Sequence, residues 1–449
     1  MNERAERFLA LVVSGVMLAV GAAAAVVAAG NLNQPPQSRA AGIDPADARG
    51  CFSFLDLPGS ERVPGDLTEQ IEMVKERVQT LRELRFRDGV DVQLVAAREM
   101  RATLLEQLAL YPAKRLRTDD LVLKALHLLP RSESLKDFYL DVFITQVAGL
   151  YLPQDDRLLV IAKEQGELLS PVEETVLAHE FEHALVDDNF GLPPLGRRPP
   201  IEDDRAAAEQ ALVEGSATAL QTLYILNYLT SEQQDATVTE AAGAVGADYF
   251  KAPYALRRYG EFPYLDGMQF VCSLHLQGGW EQVDPYFDSP PTTTYQVMNL
   301  QRFGGAAPPP RGGRPGPGWE LVRRGSFGAL DLEVLLSAPG GNLSSLVENP
   351  REIATAWAGG AVDVYRRGRK VALTISISKS AAASPDLLCG AFGAWYLEAF
   401  PEGRIVGSPI AGARMVVAGL RNSTVLACDN DRVRIAIAPR VGTAARMIE

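Results

Sequence analysis

Two histidines four residues apart, with a glutamate beside the first, are the residues of this chain best suited to chemistry. They form the run His179-Glu180-Phe181-Glu182-His183. On a helix, positions i and i+4 lie one above the other, so both imidazoles can reach a single metal ion. Glu180 sits one position round, where its carboxylate can hold and deprotonate a water. Histidine is rare here, four in 449 residues, and two of the four fall at ligand spacing. This is the HExxH signature of zinc-dependent hydrolysis, and it has that meaning only on a helix.

The flanking residues predict the helix. Ser170 is suited to the N-cap, Pro171 to the first helical position, and Glu173 completes a capping box. The helix is expected to end near Asp188, with Asn189 and Gly191 as stop signals. A catalytic zinc takes three protein ligands and leaves one open position. A third histidine in the HExxHxxGxxH pattern is excluded, because Val186 and Asn189 occupy the Gly and His positions. A carboxylate must serve.

Residues 205–229 read as a long, Ala-rich, mostly apolar helix, and Glu214 lies inside it beside Leu212, Val213, Gly215 and Ala217. A carboxylate buried there without a partner costs several kcal/mol, so a nearby cation is the simplest explanation. Gly215 would let another helix approach closely. Glu209 is the rival ligand, but Arg205 four residues earlier offers it an ordinary ion pair. Asp203 or Asp204 is suited to cap this helix; either of them, or Asp187, could instead orient a His ligand from behind. For the developing oxyanion, His275 and Tyr264 are the candidate donors. Arg257-Arg258 reads as a solvated pair and Trp280 as core packing.

Other elements must hold these helices in place. A charged helix is expected over 67–84, a strand over 90–95 and a helix over 96–110. A hairpin over 149–162 turns at Pro153-Gln154-Asp155-Asp156. Residues 304–318 are entirely Gly, Pro, Ala and Arg and read as a linker. Beyond it come helices over 329–337 and 343–358, a hairpin within 362–378, a helix over 385–400 and several short strands. The fold class is therefore α+β.

Composition narrows the function. The 44 Lys and Arg stand against 56 Asp and Glu, a net charge of −12, and there is no basic run. Nucleic acid is a poor partner for such a surface. Residues 8–30 carry no charge over 23 positions, enough at ~1.5 Å each to cross a bilayer. This predicts a single-pass membrane segment with the rest of the chain outside the cytoplasm, or a secreted protein if the segment is cleaved. Cys51, Cys272, Cys389 and Cys428 form no CxxC pair. Four cysteines allow three connectivities; Cys389 with Cys428 is preferred because both fall in one C-terminal module, and Cys51 with Cys272 would follow. Four buried free thiols are the alternative.

HEFEH followed by VEGSA resembles the gluzincin class of zinc metallopeptidases, the thermolysin-like architecture in which a downstream Glu completes the site. AGLYLPQDDRLLV, VLAHEFEHALVDDNF, ALVEGSA, FPYLDGMQFV and GGWEQVDPYFDSPPTTTYQ together resemble, over residues 90–303, an uncharacterised family of exported bacterial metallopeptidases. The uncharged run sets a membrane segment over 1–30, with a tether over 31–50. A zincin-like catalytic domain over 51–303 would follow, then the linker over 304–318 and a smaller α+β domain over 319–449. The resemblance implies a small twisted sheet whose edge strand, residues 157–162, pairs with an extended peptide or protein substrate. His179, His183 and Glu214 would hold Zn2+, and Glu180 would act as general base. Two positions depart from the family pattern: Asn299 stands where a His is expected after the PPTTT run, and Ser216 where an acid is expected after Glu-Gly. The competing expectation is a membrane-tethered ectodomain of the same fold that binds a partner protein and has a structural metal or none.

Overall fold

The computed structural model describes residues 63–448 apart from 111–112, 163–166, 193–202, 245–246, 300–311, 342, 344–345, 382, 385, 407–412, 420–421 and 430. The expected membrane segment, the tether, Cys51 and residues 304–311 of the linker lie outside the described residues. Among the described residues no helix is long and apolar enough to cross a membrane.

Asp66 caps α1 (Leu67–Arg82), its carboxylate accepting from the Glu69 N–H. Met73, Val74, Val78 and Leu81 recur at helical spacing and are buried, as are Arg77 and Arg82. Strand β1 (Asp91–Val95) leads into α2 (Ala97–Leu110) and α3 (Ala113–Ala125). The expected hairpin is present as β2 (Gly149–Leu152) and β3 (Arg157–Ile161).

The three strands form one sheet in the order β1-β3-β2, with β1 parallel and β2 antiparallel to β3. This corrects the expectation that residues 157–162 form the sheet edge: β3 is the central strand. Its uninterrupted apolar run, Leu158-Leu159-Val160-Ile161, is the pattern of a strand flanked on both sides. The outer strand next to the HExxH helix is β2. The Ile161 N–H donates to the Ala148 carbonyl at 2.8 Å, so by alternation the backbone groups of Gly149 and Tyr151 point away from β3.

Three long helices follow: α4 (Pro171–Phe190), α5 (Asp204–Tyr228) and α6 (Tyr254–Gly278). From Glu174 to Val186 every residue of α4 is buried. Its polar side chains find partners inside: Glu174 accepts from Arg77 and Tyr224, and Glu182 from Arg82 and Ser216. Helix α6 runs through Pro263, a residue that argues against a helix when the sequence is read alone. Gly215 of α5 meets Gly267 of α6, and a Cβ on either would overlap backbone of the other helix. The close approach expected at Gly215 is thus made by α6. Arg258 is not solvated as expected. It is buried between Asp266 (2.7 Å) and Glu333 (2.8 Å), because α6 faces the C-terminal part of the chain rather than solvent. Trp280 packs in the core, its indole N–H donating to the Leu81 carbonyl at 2.7 Å.

The C-terminal part carries a seven-stranded antiparallel sheet in the order β4-β5-β6-β10-β9-β8-β7. Its elements are β4 (Glu320–Ser326), α7 (Ala329–Ser337), β5 (Trp357–Arg367), β6 (Lys370–Lys379), α8 (Leu387–Ala399), β7 (Arg404–Val406), β8 (Ala413–Ala418), β9 (Ser423–Cys428), β10 (Arg432–Ala438) and α9 (Val441–Ile448). Leu373, Ile375 and Ile377 of β6 and Val433, Ile435 and Ile437 of β10 face the main core, which is continuous with that of α4 and α5. The alternate face, with Tyr365, Ala372 and Ala436, is covered by α9.

Helices over 329–337 and near 385–400 and the hairpin within 362–378 are as expected. The helix expected over 343–358 is reduced to Pro350–Ala354, since Pro350 can start a helix but not continue one and the β-forming run from Trp357 enters the sheet. Residues 312–318 form no regular element, yet they pack: the Gly313 N–H donates to the Met447 carbonyl, and Arg446 donates to the Pro315 carbonyl. Cys389 of α8 is bonded to Cys428 at the end of β9, as preferred. Cys272 is not free, and its preferred partner Cys51 lies outside the described residues.

Candidate metal centre

Helix α4 starts with the expected reciprocal cap: the Glu173 N–H donates to Ser170 Oγ, and Glu173 Oε2 accepts from the Ser170 N–H at 2.8 Å. The helix continues to Phe190, with Gly191 as its cap. His179 and His183 project from one face toward Glu214 in the middle of α5. Glu214 Oε2 lies 3.4 Å from His179 Nε2 and 3.6 Å from His183 Nε2, and the ligand atoms of all three residues fall within 4.8 Å of one another. Ligand atoms on a tetrahedral zinc-sized ion at ~2.0–2.1 Å stand roughly 3.3–3.4 Å apart. Among the described residues neither Glu214 oxygen has a hydrogen-bond partner, although the carboxylate is fully buried. Three converging donors around an unsatisfied buried carboxylate fit a metal ion. The triad His179, His183 and Glu214 can hold one, and the donor set alone does not choose among first-row divalent ions.

The charge distribution follows from burial and proximity. Burial pushes the His179 imidazole down, against the pull of Glu214. At His183 burial is outweighed by Glu214, and the ring is raised to about 9. Burial alone would raise the Glu214 carboxyl, but His183 and His179 hold it well below the usual carboxylate range. Glu180 is raised to about 8, chiefly by burial.

Glu180 lies under β2. The Tyr151 N–H, one of the outward-pointing groups of that strand, donates to its carboxylate. Gly149 leaves the space: a Cβ there would stand 2.6 Å from Glu180 Oε1. Behind His179, Nδ1 lies 3.3 Å from Gln221 Oε1, which fixes the ring with Nε2 toward Glu214 when Nδ1 carries the proton. His183 Nδ1 has no hydrogen bond among the described residues. Beside it in sequence, Glu182 accepts from Ser216 at 2.6 Å and from Arg82 at 2.9 Å; Arg82 also binds Asp284 and lies over the Trp280 ring at 4.3 Å.

Several expected roles move. Tyr264 is buried beside His179, its ring centroid 6.4 Å away. His275 sits at the far end of α6 against Trp280 and is not part of the site. None of Asp187, Asp203 and Asp204 orients a histidine. Asp187 accepts from the Tyr151 hydroxyl and the Leu192 N–H, Asp203 caps α5 through the Arg205 N–H, and Asp204 is buried against Thr294. For Asp204 helix geometry explains this: it precedes Glu214 by ten residues, about 15 Å along the axis. Glu209 pairs with Arg205 at 2.6 Å, as expected. Asn299 donates to the Tyr295 carbonyl at the end of the short helix Thr294–Met298.

Gln221, Gly149 and Tyr151 were not foreseeable from the motif. Gln221 alone left a trace, since it follows Glu214 by seven residues and so shares its helix face. Comparison with known proteins returns no match among family models, curated proteins or solved structures.

Proposed function

We propose that the chain is a zinc-dependent peptidase that cleaves peptide bonds with Glu180 as general base. The observation that carries this reading is the placement of Glu180 beside a His-His-Glu cluster able to hold a metal, on a helix whose neighbouring strand turns a backbone N–H toward it. When bound, zinc would polarise the scissile carbonyl and lower the pKa of water. The chain's own residues supply the rest. Glu180 takes the proton of the attacking water and delivers it to the leaving amine. With the Tyr151 amide turned to Glu180, the outward amide and carbonyl of Gly149 and the carbonyl of Tyr151 would align an extended peptide by backbone pairing, so the substrate-binding strand of this reading is β2. Tyr264, beside His179, is the remaining donor candidate for the oxyanion. The uncharged run 8–30 would hold the protein at a membrane, facing outward.

One observation favours a second reading. His179, Glu180, His183 and Glu214 are each at most 3% exposed, and closed sites are the mark of structural rather than catalytic metals. On that reading the chain is a binding ectodomain stapled by its metal.

Metal content and hydrolysis of a labelled unstructured protein separate the two. For the peptidase, wild type carries about one zinc per chain and cleaves, His183→Ala and Glu214→Ala lose zinc, and Glu180→Gln keeps zinc but loses cleavage. Zinc retained with no cleavage by wild type selects the ectodomain; no zinc after reconstitution sinks the peptidase.

A further inference from the structure

A cavity of about 380 Å³ lies away from the metal centre, where α3 meets the turn of the β5–β6 hairpin. Four cations line it and no carboxylate does: Lys124 from α3, Arg131 from the loop that follows, and Arg369 and Lys370 from the hairpin turn. Lys124 shares its charge with Asp120 at 2.9 Å. Arg131, Arg369 and Lys370 pair with no carboxylate among the described residues. In a chain of net charge −12, general composition does not produce such a cluster. The register of the hairpin does: Arg367 pairs with Lys370, which leaves Gly368-Arg369 as the two-residue turn and aims it at α3. Like charges gathered around one concavity repel, and an anion of two charges reverses the sign. Two guanidiniums, each a planar fork of donors, match phosphate oxygens bidentately.

We propose that this cavity binds a phosphate-type anion. Val371 and Pro439 supply an apolar wall, so the phosphate arrives on an organic body, either a free monoester or the headgroup of a phospholipid. The assignment is independent of what the metal centre does.

Calorimetric titration of the full-length protein at fixed ionic strength tests it, with glycerol 3-phosphate as the monoester and glycerophosphoglycerol as a chain-free headgroup. Saturable binding is expected for at least one probe, weakened tenfold or more in Arg369→Ala/Lys370→Ala and in Arg131→Ala, and unchanged in Arg98→Ala on the surface of α2. Arg369 and Lys370 are exposed turn residues, so their variant should melt with wild type. Tighter binding of the monoester assigns a free metabolite; tighter binding of the diester assigns a lipid headgroup. Absence of saturation by both probes, or equal affinity in wild type and the cavity variants, overturns the proposal.

Discussion

At the scale of single residues, the candidate metal triad depends on groups that would not touch a bound ion. Gln221 holds His179 by its far nitrogen, and partners of this kind typically account for a 10–100-fold change in metal affinity. Gln221→Ala is therefore expected to weaken zinc binding by one to two orders of magnitude in a chelator competition, while Gln221→Glu, which keeps an acceptor at the same reach, should restore most of it. Equal affinity in all three proteins would mean that His179 is oriented by packing alone. Ser216 illustrates the same dependence. An acid was expected at this position, but here the serine hydroxyl donates to the buried carboxylate of Glu182, which also accepts from Arg82. A second carboxylate would oppose the first, so the serine is matched to its surroundings.

At the scale of elements, Glu214 sits where α5 and α6 cross with almost no side chain between them. A methyl at Gly267 would overlap the Ala211 carbonyl, three residues before Glu214, and backbone cannot yield as a side-chain tip can. Gly267→Ala is expected to destabilise the fold by about 1–3 kcal/mol or more in urea unfolding and to lower zinc affinity as well, because the helix that retreats carries the third ligand. Lost stability with unchanged zinc affinity would show that α5 shifts without moving Glu214. Only half of this crossing could be read in the sequence. Gly215 beside a buried Glu announced a close neighbour, and the caps at Ser170 and Asp203 marked both ligand helices to within a few residues. The neighbour itself, α6, was hidden by Pro263, whose cost is absorbed by tertiary burial that no local pattern reports. The order β1-β3-β2 was hidden for a related reason: a parallel pairing across more than 60 residues of chain leaves no mark on either strand beyond its apolar run. The convergence of His179, His183 and Glu214 from their two helices was legible; the groups that meet those helices from β2 and α6 were not.

At the scale of the whole molecule, buried charges join the helices of the metal centre to the C-terminal part of the chain. Arg258 is clamped by Asp266 of its own helix and Glu333 of α7, with Arg351 alongside. Nearby, Asp204 at the start of α5 accepts from Thr294, and Asp331 of α7 accepts from Tyr259 and the Gly328 N–H. Burial is the main cause that pushes Asp204 up to about 7 and Asp331 up to about 6; each also senses charged neighbours, Asp331 and Asp203 at Asp204, Arg323 at Asp331. The sign follows from proton uptake. Between the unfolded value of about 4 and these folded values, the folded chain keeps protons that the unfolded chain has released. Their contribution is thus fully present below about pH 4 and is lost as pH rises toward 7. Asp204→Asn keeps an acceptor for Thr294 and cannot ionise. Relative to wild type it should be nearly neutral at pH 4.5 and stabilising by on the order of a few kcal/mol at pH 8, read as the difference in urea midpoints at constant metal loading. A difference that does not vary with pH would mean that Asp204 reaches water in solution. A rising difference would mean that the junction beneath the metal helix tightens in acid, so that the stability of the candidate site is set partly by carboxylates about 15 Å from it.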